Sequence, residues 1–106
     1  MNSQEIDIIR NMKTVEWLKS ELLSNIAYLH KLFVNNEDNS KENIEDVISN
    51  IILESYVLGN RLGINYKDID LVLKENIRLN LIKEHKIEKW YGDLSQLLEH
   101  IESREK

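Results

Sequence analysis

The sequence predicts an all-α fold, a helical bundle of about four helices completed by a second copy of the chain. Three observations carry this expectation. The 106 residues contain no proline and only three glycines, Gly59, Gly63 and Gly92, so long helices can run without a breaker. Apolar residues recur at three- and four-residue steps in each patterned segment, which is the helical period. No alternating strand pattern and no internal repeat competes with it. The length suits one domain spanning residues 1–106, with residues 1–11 and 102–106 expected as frayed ends.

The first helix is expected from Met12 to Asn35. Val15, Leu18, Leu22, Ile26, Leu29 and Phe33 share one face, widened by Trp17, Tyr28 and Leu32. Asn35, Asn36 and the run Glu37 to Ser40 read as a polar loop, in which Asn39 or Ser40 can cap the next helix. The second helix should run from about Lys41 to Leu62. Ile44, Val47, Ile48, Ile51, Ile52, Ser55, Leu58 and Leu62 form its stripe, with Leu53, Tyr56 and Val57 off to the side. A helix apolar on most sides is covered from more than one direction. In so short a chain the additional cover is expected from another subunit, across the Leu53 and Val57 side.

Gly63 fits a left-handed cap at the end of that helix. Asn65 followed by Asp68 resembles a capping box opening a third helix. Its face holds Ile69, Leu73, Asn76, Ile77 and Asn80, with Val72 and Leu79 alongside, and it should fray near His85. Lys89 to Gly92 reads as a bend. Asp93 or Ser95 then starts a last helix with Leu94, Leu97, Leu98 and Ile101 on its apolar side.

Composition narrows the function classes. No cysteine is present, which removes disulfides, thiolate metal sites and cysteine nucleophiles together. No signal peptide and no run of apolar residues long enough for a membrane span is visible, so a soluble cytoplasmic protein without a membrane partner is expected. A net charge of −5 works against binding phosphate backbones, so nucleic acid is not an expected partner.

Polar residues stand where a plain bundle would not put them. At 100° per residue, Glu21 and Asn25 fall within the apolar arc of the first helix. On the second, Asn43, Asp46 and Asn50 share a side with Glu54, Val57 and Arg61. Carboxylates and amides in apolar surroundings need a cation, hydrogen bonds or solvent. One reading is a Mg²⁺-dependent phosphate site, because hard cations take oxygen ligands and bridge phosphates. The other is a polar helix edge, with Glu54 and Arg61 as a surface pair. Trp90 and Tyr91, among Lys83, Lys86 and Lys89, can stack on a base beside phosphates, or anchor the last helix. His30, His85 and His100 are too scattered to suggest a metal triad. No phosphate-binding glycine loop and no nucleophile elbow is present.

Three stretches carry a family resemblance. They are Arg10-Asn-Met-Lys-Thr-Val-Glu-Trp-Leu-Lys-Ser-Glu-Leu-Leu23, Tyr56-Val-Leu-Gly-Asn-Arg-Leu-Gly-Ile64 and His85-Lys-Ile-Glu-Lys-Trp-Tyr-Gly-Asp-Leu-Ser95. Together they resemble the MazG-like family, within the all-α nucleoside triphosphate pyrophosphatases, over nearly the whole chain. The resemblance implies cleavage of a nucleoside triphosphate to the monophosphate and pyrophosphate. It also implies acidic pairs, Glu-x-x-Glu and Glu-x-x-Asp, that hold Mg²⁺ on adjacent helices of associated subunits.

Here those pairs read Leu18-x-x-Glu21 and Asn43-x-x-Asp46, so one carboxylate of each is missing. A Lys-x-x-x-Asn-x-x-Arg pattern appears only as Asn76, Asn80 and Lys83. The resemblance therefore implies Glu21 and Asp46 as metal ligands, with Asn25, Asn50, Asn80, Lys83, Trp90 and Tyr91 around the nucleotide. Two functional expectations stand side by side. One is a nucleotide-binding protein and Mg²⁺-dependent hydrolase with a reduced site. The other is a non-catalytic regulatory or protein-interaction module on the same fold. A homodimer is expected in both.

Overall fold

The computed structural model describes residues 2–34, 39–83 and 86–105. Among them the chain is all-α: α1 (Ser3–Val34), α2 (Lys41–Arg61), α3 (Tyr66–Ile82), α4 (Lys86–Tyr91) and α5 (Asp93–Arg104). The expected all-α class is met with five helices, four of them of seven or more residues. None is long and apolar enough to cross a membrane among the described residues. The chain divides into two compact units, residues 1–66 and 67–106.

In the first unit α1 packs against α2. The polar pairs Asn11 with Arg61, Asn25 with Glu54, and Tyr28 with Asn43 run in opposite chain directions, so the two helices are antiparallel. Leu18, Leu32 and Val47 are buried between them, and Leu32 is fully enclosed. Val15, Leu22 and Leu29 are half-buried, as their place on the expected face requires. Ile26 and Phe33, expected on that face, are instead exposed. Eight residues of helix turn Ile26 by roughly 80° from Leu18, and one neighbouring helix covers a narrower arc than that.

Both ends of α2 are closed as its sequence implies. The Ser40 hydroxyl accepts from the Asn43 amide at 3.3 Å, satisfying an N-terminal N–H that the helix cannot reach. At the other end Gly63 sits at φ +91°. The Ile64 amide donates to the Gly59 carbonyl and the Gly63 amide to the Asn60 carbonyl, the Schellman pattern that favours glycine at this position.

The start of α1 differs from expectation. Residues 3–11, expected to fray, are helical from Ser3 onward. The Glu5 amide donates to the Asn2 side chain at 2.9 Å, and the Asn2 amide donates to the Glu5 carboxylate at 3.3 Å. This is a reciprocal capping box with Asn in the first place, and it satisfies two amides at once. Residues 35–38 of the expected polar loop, and His85, lie outside the described residues.

In the second unit Ile77 of α3 and Ile101 of α5 are buried. Arg78 pairs with Glu102 at 3.0 Å and Lys74 with Glu105 at 2.7 Å. These bridges hold the end of α5, so it stays helical to Arg104 where a frayed tail was expected. The stretch Lys86–Tyr91, expected to end in a bend, is a short helix. The turn is confined to Gly92, at φ +70°.

Candidate functional site

The polar strip between α1 and α2 begins with buried Glu54. Its side chain lies on the line of Val47 and Leu58, two helical turns after the first and one before the second, and only 8% of the residue is exposed. The Asn25 amide donates to its Oε1 at 2.6 Å. A carboxylate in such surroundings is costly unless it is hydrogen-bonded or paired with a cation. Among the described residues Asn25 is the hydrogen-bond partner, and no cation bridges Glu54. The expected surface pair of Glu54 with Arg61 is therefore corrected. Arg61 is exposed, and its backbone carbonyl accepts from the Asn11 side chain at 3.1 Å.

Around this pair stand the other polar residues of the hairpin. Glu21 lies one turn before Asn25 on α1 and is half-buried. Asn50 lies one turn before Glu54 on α2 and is half-buried, while Asp46, a further turn back, is exposed. The Asn11–Arg61 bond closes one end of this stretch. The bond from the Asn43 amide to the Tyr28 hydroxyl, 3.2 Å long, closes the other. Glu21, Asn25, Asp46, Asn50 and Glu54 are all bracketed between those two contacts. Within the bracket, the Asn25 amide donates to Glu54, and the Ser49 hydroxyl donates to the Asp46 backbone carbonyl.

This donor set fits a divalent cation only in part. Among the described residues no three acids or histidines stand together as a metal-holding group. The strip can offer carboxylates from Glu21, Glu54 and Asp46, and amide oxygens from Asn25 and Asn50, but not a closed cage. Mg²⁺ is commonly held by one or two carboxylates, with waters and substrate phosphates completing the octahedron. Glu54 is the residue that sequence reasoning undervalued. Its spacing from Val47 and Leu58 was the available signal.

The remaining expected residues belong to the second unit. The Asn80 side-chain amide donates to the Asn76 carbonyl at 2.9 Å, which occupies one of its donors. Lys83 is exposed. Trp90 and Tyr91 are exposed, with ring centroids 6.3 Å apart in an edge-to-face pair, and the Lys86 ammonium lies 6.0 Å from the Trp90 ring. The expected role of these aromatics as anchors within the bundle is not the one they play in this unit, since both rings face solvent.

Just before them, Glu88 closes the start of α5. Its carboxylate accepts from the Ser95 hydroxyl at 2.6 Å and from the Ser95 amide at 2.9 Å. Gly92 has no side chain for that task. The hydroxyl first, and then the amide, hold the Glu88 carboxyl below its ordinary range.

The MazG-like family model matches residues 8–94. The chain belongs to the MazG-like family. The match includes α1 from residue 8 onward and α2, with the whole polar strip, and it extends through the Trp90–Tyr91 pair. Neither a curated protein nor a solved structure matches this MazG-like chain.

Proposed function

We propose that this MazG-like chain binds a nucleoside triphosphate, with Mg²⁺ taken up together with the phosphates in the strip between α1 and α2. The observation that supports this reading is Glu54, a buried carboxylate held among the described residues by the neutral Asn25 amide rather than by a basic side chain. Replacing a buried polar pair by apolar residues of similar volume is often neutral or stabilising, so the packing of the bundle does not by itself call for such a group. One or two of the carboxylates of Glu21, Asp46 and Glu54 would hold the metal, with waters and phosphates completing its coordination, and Asn25 and Asn50 would orient waters or phosphate oxygens.

Pyrophosphohydrolysis is the reaction that a complete acidic set would support. A site that polarises a phosphoryl group and activates water relies on fixed multi-point coordination. The reduced set here favours binding over turnover. The alternative is an interaction module without chemistry, and the exposed apolar residues Ile48, Ile52 and Leu53 on α2 favour it.

Thermal unfolding with a panel of triphosphates, with and without Mg²⁺, tests the proposal. A ligand bound only by the folded chain at a hundred times its dissociation constant adds about 2.7 kcal/mol. The expected result is a Mg²⁺-dependent rise that the Glu21→Ala/Asp46→Ala double variant reduces. A rise with nucleotide alone would support the module without metal chemistry. No rise with any triphosphate would sink the proposal. Pyrophosphate release, measured on the same samples, separates turnover from binding.

A further inference from the structure

On α1 the edge that carries Glu21 continues toward the N-terminus. At 100° per residue, Arg10, Trp17 and Glu21 fall within about 40° of one another, and Lys13 lies about 40° beyond Trp17. Ile6, Ile9, Arg10, Lys13, Thr14 and Trp17 line one open groove of about 490 Å³, within the range of about 300–1,000 Å³ of small-ligand sites. Trp17 forms the end nearest the polar strip, one helical turn before Glu21, and is 58% exposed. Lys13 lies about 6 Å and Arg10 about 10 Å farther along the helix, at 1.5 Å per residue. Strip and groove therefore make one continuous track along one edge of α1.

The two halves of this track differ in chemistry. The strip offers carboxylates and amides, from Glu21, Asn25, Asp46, Asn50 and Glu54. No carboxylate and no side-chain amide lines the groove. Its polar groups are the Arg10 guanidinium, the Lys13 ammonium and the Thr14 hydroxyl, which donates to the Arg10 backbone carbonyl at 2.9 Å. Among the described residues neither cation joins an ion pair. Arg and Lys side chains donate hydrogen bonds and accept none. A nucleotide with its phosphates and Mg²⁺ at Glu21 lays its base over Trp17, and the far edge of that base toward Lys13 and Arg10. An aromatic face stacks every base, by an amount that grows with stacking strength, which favours the larger purines. Donors beyond that face fit the O6 and N7 acceptors of guanine and hypoxanthine, the pairing that Arg and Lys make with guanine edges. Adenine turns its N6 amino group, itself a donor, toward the same two donors. We infer that Trp17 is the base platform of the triphosphate site, and that Lys13 and Arg10 select 6-oxopurine nucleotides over adenine ones. This selection rests on the triphosphate reading of the strip and gives it a substrate class.

Calorimetric titration tests this with non-hydrolysable analogues of GTP, ATP and UTP and with inorganic triphosphate, each with Mg²⁺. Circular dichroism checks that every variant stays helical. The GTP analogue is expected to bind about tenfold tighter than the ATP analogue, and tighter than the UTP analogue. Trp17→Ala should weaken both purine nucleotides about tenfold and leave inorganic triphosphate unchanged, and Trp17→Phe should recover most of the loss. The double variant Arg10→Ala/Lys13→Ala should bring the ratio of GTP to ATP affinity near one. Cations that act only by attracting phosphate would lower both affinities together and keep the ratio, and that result overturns the inference. A GTP analogue bound no tighter than the ATP analogue, the UTP analogue or inorganic triphosphate overturns it, while the reading of the strip stands. So does a Trp17→Ala variant that binds nucleotides as the wild type does. No binding of any nucleotide or of inorganic triphosphate overturns both.

Discussion

Replacing Asn25 by Leu removes the amide that donates to Glu54 at 2.6 Å and supplies no substitute. With 8% of Glu54 exposed, water reaches the carboxylate poorly in compensation. A hydrogen bond to a charged group contributes about 1.5–3 kcal/mol, and stranding such a group costs at least as much. Asn25→Leu is therefore expected to destabilise the α1–α2 hairpin by about 2–3 kcal/mol. Glu54→Gln keeps an oxygen to accept from Asn25 and should change stability by less than about 1 kcal/mol. The double variant Asn25→Leu/Glu54→Met replaces both polar partners with apolar side chains of similar size, so it should recover most of the loss. Urea unfolding followed by circular dichroism, with Glu54→Met as the second single variant, provides the four stabilities of this cycle. An Asn25→Leu loss below about 0.5 kcal/mol, or a double variant whose loss equals the sum of the singles, would refute the reasoning. Either result would mean that Glu54 is solvated and the bond contributes little.

Leu32, fully enclosed between the helices, should cost about 2–5 kcal/mol when cut to Ala, read by the same urea unfolding. Ser40→Ala removes the hydroxyl that caps α2 and should cost about 1 kcal/mol, with amide exchange rising first in residues 41–44. Gly63→Ala places a Cβ at φ +91° with no atom nearby to clash, so its expected cost of about 1–2 kcal/mol is purely the left-handed backbone. At the start of α5, Ser95→Ala should raise the Glu88 titration midpoint toward the ordinary carboxylate range, followed by side-chain carboxyl NMR. Because the folded-state value is lowered, the stability Glu88 contributes is present above its unfolded pKa. It is lost as pH falls through the folded value. Protection of α5 should therefore fall with acid in the wild type and change less in Ser95→Ala.

The helices were legible because periodicity and caps agree. Ser40, through its side-chain cap, and Gly63, through its left-handed backbone, mark boundaries by chemistry that acts within a few residues. The start of α1 was equally local, in the reciprocal bonds of Asn2 and Glu5. The start of α5 is closed by the Glu88 carboxylate reaching seven residues ahead to Ser95, which no window of propensity contains. Glu54 illustrates a different limit. Its spacing from Val47 and Leu58 placed it on a consistent line, but α2 is apolar over most of its circumference. Which line faces α1 is decided by the register of two helices, and a single-helix period does not contain that register. The polar strip was visible in Glu21, Asn25, Asp46 and Asn50. Its buried member was not, because a glutamate near an arginine reads first as a surface pair.

The central claim is that Glu54 is retained for a cation and phosphates rather than for the fold. Calorimetric titration of a non-hydrolysable nucleoside triphosphate into the wild type and Glu54→Gln, with Mg²⁺ throughout, tests it most directly. Glu54→Gln preserves the acceptor for Asn25 and removes only the charge. Saturable binding by the wild type and an affinity weakened at least about tenfold in the variant, equivalent to about 1.4 kcal/mol, is the predicted result. Equal affinity in the two proteins, or no saturable binding to either, would contradict the claim.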